Sequence, residues 1–278
     1  MYKNKVKLVQ IYEKNSKIKL FEEIILILLN LKNSHFLAKQ LAKRDISAQY
    51  RQSFLGFFWL FITPIITAGV WIFLSSSGTI TLNNTGIPYP VYAFSGTLIW
   101  SIIIESINGP LTSTIGARDI LSKINFPKEA LILSAIYKLF FNSFIKVILI
   151  IIIILAFGLG LHWLLFLFPV SLMITVLIGT TIGLFITPLG LLYSDISRLI
   201  TMVLSLFMYI TPVVYAIPSK GIMKTIMELN TIRATATGQN LDYFGYFVAL
   251  GGISVILFCV GLIIYRGSIP VIIERLGV

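Results

Sequence analysis

The chain has 278 residues, of which 57% are hydrophobic and only 12% charged, the reverse of what keeps a polypeptide soluble around one core. Its formal charge of +11 comes from lysines and arginines crowded near the N-terminus and at the ends of apolar runs, so it reads as a topology signal and not as a nucleic-acid surface. The single cysteine, Cys259, lies inside an apolar run and leaves neither an intrachain disulfide nor a thiolate metal cluster.

In chain order, a Lys-rich start leads to Ile24–Leu31, an apolar run too short to span a membrane and preceded by Glu22 and Glu23. With no small-residue cleavage site, it is expected to be an interfacial or cytosolic helix and not a signal peptide. His35–Gln52 is expected to form a second helix, with Leu37, Leu41 and Ala48 on a narrow stripe. At the headgroups its Lys39, Lys43, Arg44 and Arg51 would meet phosphate, either as general lipid anchoring or as a specific phosphate site. A hydrocarbon core about 30 Å thick needs roughly 20 helical residues. Six stretches qualify: Phe54–Leu74, Tyr92–Ile115, Ala130–Leu159, His162–Tyr193, Leu199–Ile217 and Tyr243–Tyr265. The third and fourth are long enough to tilt, and a kink is expected at Pro188. The expected architecture is all-α: residues 1–53 as an N-terminal segment with an interfacial helix, and 54–278 as a six-helix transmembrane domain.

Lysine and arginine in short loops set sidedness. Eleven of them, from Lys3 to Arg51, precede the first span, whereas the loop from Ser75 to Val91 has none. The next connection carries Arg118, Lys123 and Lys128, and Arg198, Arg266 and Arg275 mark the remaining inner positions. Both termini are therefore expected in the cytoplasm. Pro218–Asp242 would then lie outside despite Lys220, Lys224 and Arg233, the weakest point of this topology.

No Gly-Lys pair occurs anywhere, so the chain has no phosphate-binding loop of the G-x-x-x-x-G-K-[ST] type. No catalytic or metal-binding motif stands out, and His35 and His162 are far apart in sequence. Charges inside spans cost a few kcal/mol unless paired or wet. Glu105 in the second span and Lys138, Asn142 and Lys146 in the third are such groups. Glu105 and Lys138 fall at similar depth, so they are the expected ion pair, with Lys146 eight residues on and near the same face. Such charges either fix two helices or line a path for a hydrophilic cargo. Trp59, Trp71, Tyr89, Tyr92, Trp100 and Trp163 fit an interfacial aromatic belt; sugar rings also stack on such side chains. In the inner loop Gly116–Ile132, Arg118 and Asp119 precede Ile120, Leu121 and Ile124, and Asn125-Phe126-Pro127 stops the run. A helix of two or three turns there would bear both charges and apolar side chains, as a ball for a partner's socket or as an ordinary loop.

Arg44-Asp45, Tyr50-Arg51 and SFLGFFWLFITP (Ser53–Pro64) resemble the start of the first span in membrane subunits of ABC transporters that export polysaccharides, of the O-antigen and teichoic-acid type. KINFPKEALIL (Lys123–Leu133), LLYSDISRLITMVLSLFMYITPVVYAIPS (Leu191–Ser219) and IPVIIERLGV (Ile269–Val278) are similar to further parts of that family. The resemblance implies six spans, a homodimer, and two copies of a separate cytosolic ATPase that would hold ATP and magnesium, with no cofactor on this chain. It further implies a coupling helix carrying Arg118, Asp119, Ile120, Lys123, Phe126 and Pro127. His35–Gln52 would be an interfacial gate helix, and short re-entrant helices after Pro218 would form the exit. The cargo would be a polyprenyl-pyrophosphate-linked glycan, with Arg44 and Arg51 as pyrophosphate contacts, and the location a bacterial inner membrane. One departure stands out. The family's Asn-Pro before the exit helix is missing from Leu229-Asn230-Thr231-Ile232-Arg233, so shorter or differently packed exit helices are expected. An exporter of teichoic acid, or of drugs or lipids, is the alternative, and a membrane-embedded glycan-processing enzyme is a poorer one given the sparse loop carboxylates.

Overall fold

The structure is a computed structural model that describes residues 20–51, 54, 56–78, 87–124, 126–160, 162–193, 195–211, 213, 231–238 and 244–275. Among these the fold is entirely helical: α1 (Leu20–Asn33), α2 (His35–Arg51), α3 (Trp59–Ser76), α4 (Tyr89–Gly116), α5 (Arg118–Lys123), α6 (Glu129–Ala156), α7 (Phe168–Leu192), α8 (Asp195–Ile210), α9 (Thr231–Thr237) and α10 (Phe244–Arg275). Five of them, α3, α4, α6, α7 and α10, are long and apolar enough to cross a bilayer. The expected fifth span, Leu199–Ile217, is represented by α8, whose 16 residues reach about 24 Å at 1.5 Å each. Residues 214–230, with Lys220, Lys224 and most of the expected exit helices, lie outside the described residues.

The medium explains why these sequences are helical. Residues 147–155 of α6 read VILIIIIIL, a run that favours strands in water. In lipid only a helix or a closed barrel satisfies every backbone group, and the β-branched run is helical throughout. Helix ends follow local chemistry. Gly158, at φ +69°, closes α6: its N–H donates to the Leu155 carbonyl and that of Leu159 to the Ile154 carbonyl, the left-handed cap that glycine takes without strain. The first span starts at Trp59 and not Phe54, because Gly56 turns the chain at φ +45° into a short 3₁₀ segment, Gly56–Phe58. The fourth starts at Phe168, since Trp163–Phe166 is a 3₁₀ turn. The last runs ten residues beyond its expected end at Tyr265. That extension stays helical because Ile269, Ile272 and Ile273 bury themselves against Ile27 of α1, Ile132 of α6 and Leu184 and Leu191 of α7.

α4 is the central element. Its most apolar stretch is 67% buried by the protein against 11% for α3, which lies at the periphery. Its closest neighbour is α7, and the contact depends on small residues. A methyl at Gly183 would press into the Ile107 carbonyl oxygen, one at Gly179 into the Ser106 hydroxyl, and one at Gly190 into Leu111. Gly179 and Gly183 form a G-x-x-x-G step, which lets two helix backbones approach in lipid, where van der Waals packing drives association. At one end of the bundle α1, α2, α5, the start of α6 and the ends of α7 and α10 meet in two clusters, one of which joins Leu41, Ala117, Ala130 and Leu131 with Leu37, Leu121 and Phe126. α9 and the Trp163 turn lie at the opposite end, beside the starts of α4 and α7.

Candidate functional site

Three constellations carry chemistry: a turn at the α5 end, a polar seam at mid-span, and a buried arginine at the α9 end. The chain reverses at Ala117, which is fully buried, and α5 follows for six residues only. This is shorter than the two or three turns expected, because Ile124 already adopts extended geometry (φ −130°, ψ 126°), three residues before Pro127. Leu121 and Phe126 point into the cluster below, whereas Asp119, Lys123 and Pro127 are exposed and Arg118 and Ile120 half-buried. Apolar side chains thus anchor the turn while its charged tip faces outward.

Glu129, the first residue of α6, is 3% exposed, and its Oε1 lies 3.6 Å from Nη1 of Arg266 on α10, beyond hydrogen-bond length. The hydroxyls of Thr114 and Tyr265 bond at 2.8 Å between α4 and α10. The two helices that flank α5, α4 and α6, therefore each meet α10 through a polar contact. The sequence marks Glu129 only by its place immediately before the apolar Ala130–Leu133.

On α2, Asp45 accepts from Lys138 Nζ of α6 at 2.8 Å and from Arg44 Nη2 at 2.7 Å. Burial pushes the Asp45 carboxyl up, but hydrogen bonds and charge from Lys138 and Arg44 outweigh it and hold the group below the usual carboxylate range. His35 and Tyr137 add a second contact between α2 and α6, Nδ1 to phenol oxygen, with their rings edge to face. Of the two arginines singled out for phosphate, Arg44 is engaged by Asp45 and Arg51 lies exposed at the end of α2.

The expected Glu105–Lys138 pair does not form. Glu105 Oε1 instead receives Lys146 Nζ at 2.6 Å, and Asn142 Nδ2 stands 3.4 Å from Oε2. Eight helical positions leave the two lysines about 80° apart around α6 at 3.6 residues per turn, so Lys146 turns to α4 and Lys138 to α2. The Lys146 side chain is 3% exposed while that of Glu105 is 34% exposed, so the ammonium is the buried partner and the carboxylate the half-exposed one. Beside it, Asn108 of α4 donates to Thr201 of α8 at 3.2 Å, and the Trp100 indole donates to the Leu204 carbonyl at 3.1 Å. Trp100 thus ties α4 to α8 and does not belong to an interfacial belt.

At the other end Arg233 is 3% exposed. Its guanidinium lies 3.7 Å from the Tyr92 ring centroid and donates to the Tyr92 hydroxyl at 2.7 Å and the Val213 carbonyl at 3.2 Å. Gly96 makes room for that carbonyl against α4, and Thr235 bonds Ser171 of α7 at 2.9 Å. Gly238 (φ +74°) ends α9 where a side chain would collide with the His162 ring. The arginine that troubled the charge-based topology is therefore buried in protein, stacked and hydrogen-bonded, and does not act as a sidedness signal.

Comparison with known proteins agrees with this arrangement. The profile of the family described as ABC-2 type transporter matches residues 37–240, from α2 to just beyond α9. The O-antigen export system permease protein RfbA of Myxococcus xanthus is 25% identical over 227 residues, covering 78% of this chain and 86% of that protein. A protein of the same name from Klebsiella pneumoniae is 25% identical over 186 residues, covering 65% and 70%. A bundle of apolar helices, a short charged turn held out between two of them, and a family match that spans both together place the chain: it belongs to the ABC-2 type transporter family and is a multi-pass membrane transport protein.

Proposed function

We propose that the chain is the membrane subunit of an ATP-driven exporter that moves a lipid-linked polysaccharide of the O-antigen type out of the cytoplasm across a bacterial inner membrane. Two copies work with two cytosolic ABC ATPase subunits, which hold ATP and magnesium. Both chain termini and α5 lie on the cytoplasmic side, in keeping with the lysines and arginines that crowd that end.

The observation that carries this reading is α5. Its Leu121 packs, half-buried, against both inner clusters while Asp119 and Lys123 are exposed, so a push on the charged tip moves packed helices instead of bending a loop. Ala117 joins α5 directly to α4, and Glu129 and Arg266 set α6 against α10, so closure of the ATPase pair is passed to the bundle as a rigid-body shift. At the headgroups Arg51, with Arg44 one step behind it in its contact with Asp45, receives the pyrophosphate of the carrier lipid by charge-assisted hydrogen bonds. The glycan then passes along the polar seam of α4 and leaves past α9.

Charge reversal at the tip tests this. In cells, Arg118→Glu combined with Asp119→Arg is expected to cut surface glycan at least about tenfold and to accumulate lipid-linked glycan inside, with chain abundance unchanged. Normal export by an intact, assembled variant would refute the reading.

A further inference from the structure

We infer that α10 is hinged between Arg266 and Pro270 and that the Glu129–Arg266 pair is the latch of this hinge, open in the structure and drawn shut when α5 is displaced. The inference deepens the exporter reading and rests on it.

α10 has 32 residues, about 48 Å at 1.5 Å each, so its last turns run past a hydrocarbon core of about 30 Å. The helix is weakest there. Pro270 lies inside it and has no N–H, and the bond it cannot make is the one to the carbonyl four residues back, that of Arg266. Gly267 is exposed, with no atom within 4 Å of a methyl placed on it. One backbone bond and one side chain that would stiffen this turn are therefore missing, and Gly267-Ser268 and Pro270 are the kinds of residue at which helices bend. The two sides of the turn are held differently. Before it, Tyr265 is bonded to Thr114 of α4 at 2.8 Å, and Gly261 lies against Leu184 of α7. Beyond it, Ile269, Ile272 and Ile273 share a cluster with Ile27 of α1, and Leu121 of α5 packs on that cluster.

Arg266 stands at this junction, and its ion pair is the loose one. Arg44–Asp45, Lys138–Asp45 and Lys146–Glu105 close at 2.7, 2.8 and 2.6 Å, whereas Nη1 of Arg266 stays 3.6 Å from Oε1 of Glu129. Both atoms are buried and carry no hydrogen bond among the described residues. A charge pair withdrawn from water recovers its desolvation cost only through close contact and hydrogen bonds. A displacement of under about 1 Å, to the length of a charge-assisted bond, is therefore favourable. Pressure on α5 reaches Arg266 through the cluster at Leu121 and reaches Glu129 along the chain, so one element moves both sides of the latch.

The test uses the chain copurified with its ATPase in lipid nanodiscs, with Cys259→Ala as background. Spin labels on Val271→Cys, past the hinge, and on Ile148→Cys of α6, both exposed, report the movement. Adding ATP and vanadate is expected to shift their mean separation by about 2 Å. Pro270→Ala should abolish the shift and Glu129→Gln should reduce it. Pro270 is exposed, so alanine opens no cavity and restores a helical bond. The melting temperature of Pro270→Ala should rise or stay level while surface glycan in cells falls at least about fivefold. Gly267→Ala, whose methyl has room, should act in the same direction. A pair that only held α6 to α10 would not separate stability from export in this way. No shift in the parent, a parental shift in Pro270→Ala or Glu129→Gln, parental export in both hinge variants, or export lost together with a lowered melting temperature in both overturns the inference. Failure of the exporter reading shows differently, as normal surface glycan in the Arg118/Asp119 reversal variant, whatever the hinge does.

Discussion

Asp45 and Lys138 come from helices 93 positions apart and hold α2 on α6 with one contact of 2.8 Å. Because the Asp45 carboxyl is held below its usual value of about 3.8, the unfolded chain binds more protons there than the folded one. The stabilisation is therefore complete above that value and is lost as pH falls through the lower, folded-state value. Lys138→Met should destabilise detergent-solubilised protein by about 1–3 kcal/mol at any pH from roughly 5 to 8. The gap between variant and parent should close only in acid below about 3.8, as melting curves across pH will show. Glu105 and Lys146 illustrate the same dependence on tertiary partners. The presence of charges within spans marked these residues as meaningful, but rotation around α6 decided which lysine serves which carboxylate. Arg233 could be flagged from sequence only as an anomaly, because Tyr92 and Val213 reach it from α4 and from the turn after α8.

At the scale of elements, the α4–α7 contact sets the close spacing of the central pair. Gly183 has the Ile107 carbonyl and the Pro110 ring against it, whereas Gly252 on α10 has no atom within 4 Å of a methyl placed there. Gly183→Val should cost about 1–3 kcal/mol through overpacking, and Gly252→Val should be neutral or slightly stabilising because it removes a helix-interior glycine. Thermal unfolding of the two variants side by side checks the difference, and equal losses would show that close approach is not what Gly183 supplies. The G-x-x-x-G spacing of Gly179 and Gly183 is present in the sequence but was not singled out there. That its partner is α4 of the same chain, and not a helix of a second copy, is not legible in the sequence.

For the molecule as a whole, α4, α7 and α10 run one way and α3, α6 and α8 the other, so α5 and α9 mark opposite faces. With Cys259→Ala as background, Asp119→Cys should react with a membrane-impermeant maleimide only after the inner membrane is opened. Labelling in intact cells would invert the proposed orientation. In the proposed orientation, that face is where the ATPase would dock.

Hydrophobicity, span length and the placement of lysines and arginines determined that this chain crosses a membrane, where most of its helices lie, and that a charged turn follows the second span. These are local properties: a run of apolar residues in lipid must close its own backbone hydrogen bonds wherever it sits. Pairings were decided elsewhere. Which lysine meets Glu105, why α10 continues to Arg275, why α5 stops after six residues and how Arg233 is accommodated all depend on the angle at which one helix presents a side chain to another. That angle exists only once the bundle has packed, because a rotation of about 80° is invisible in a count of residues and decisive in space.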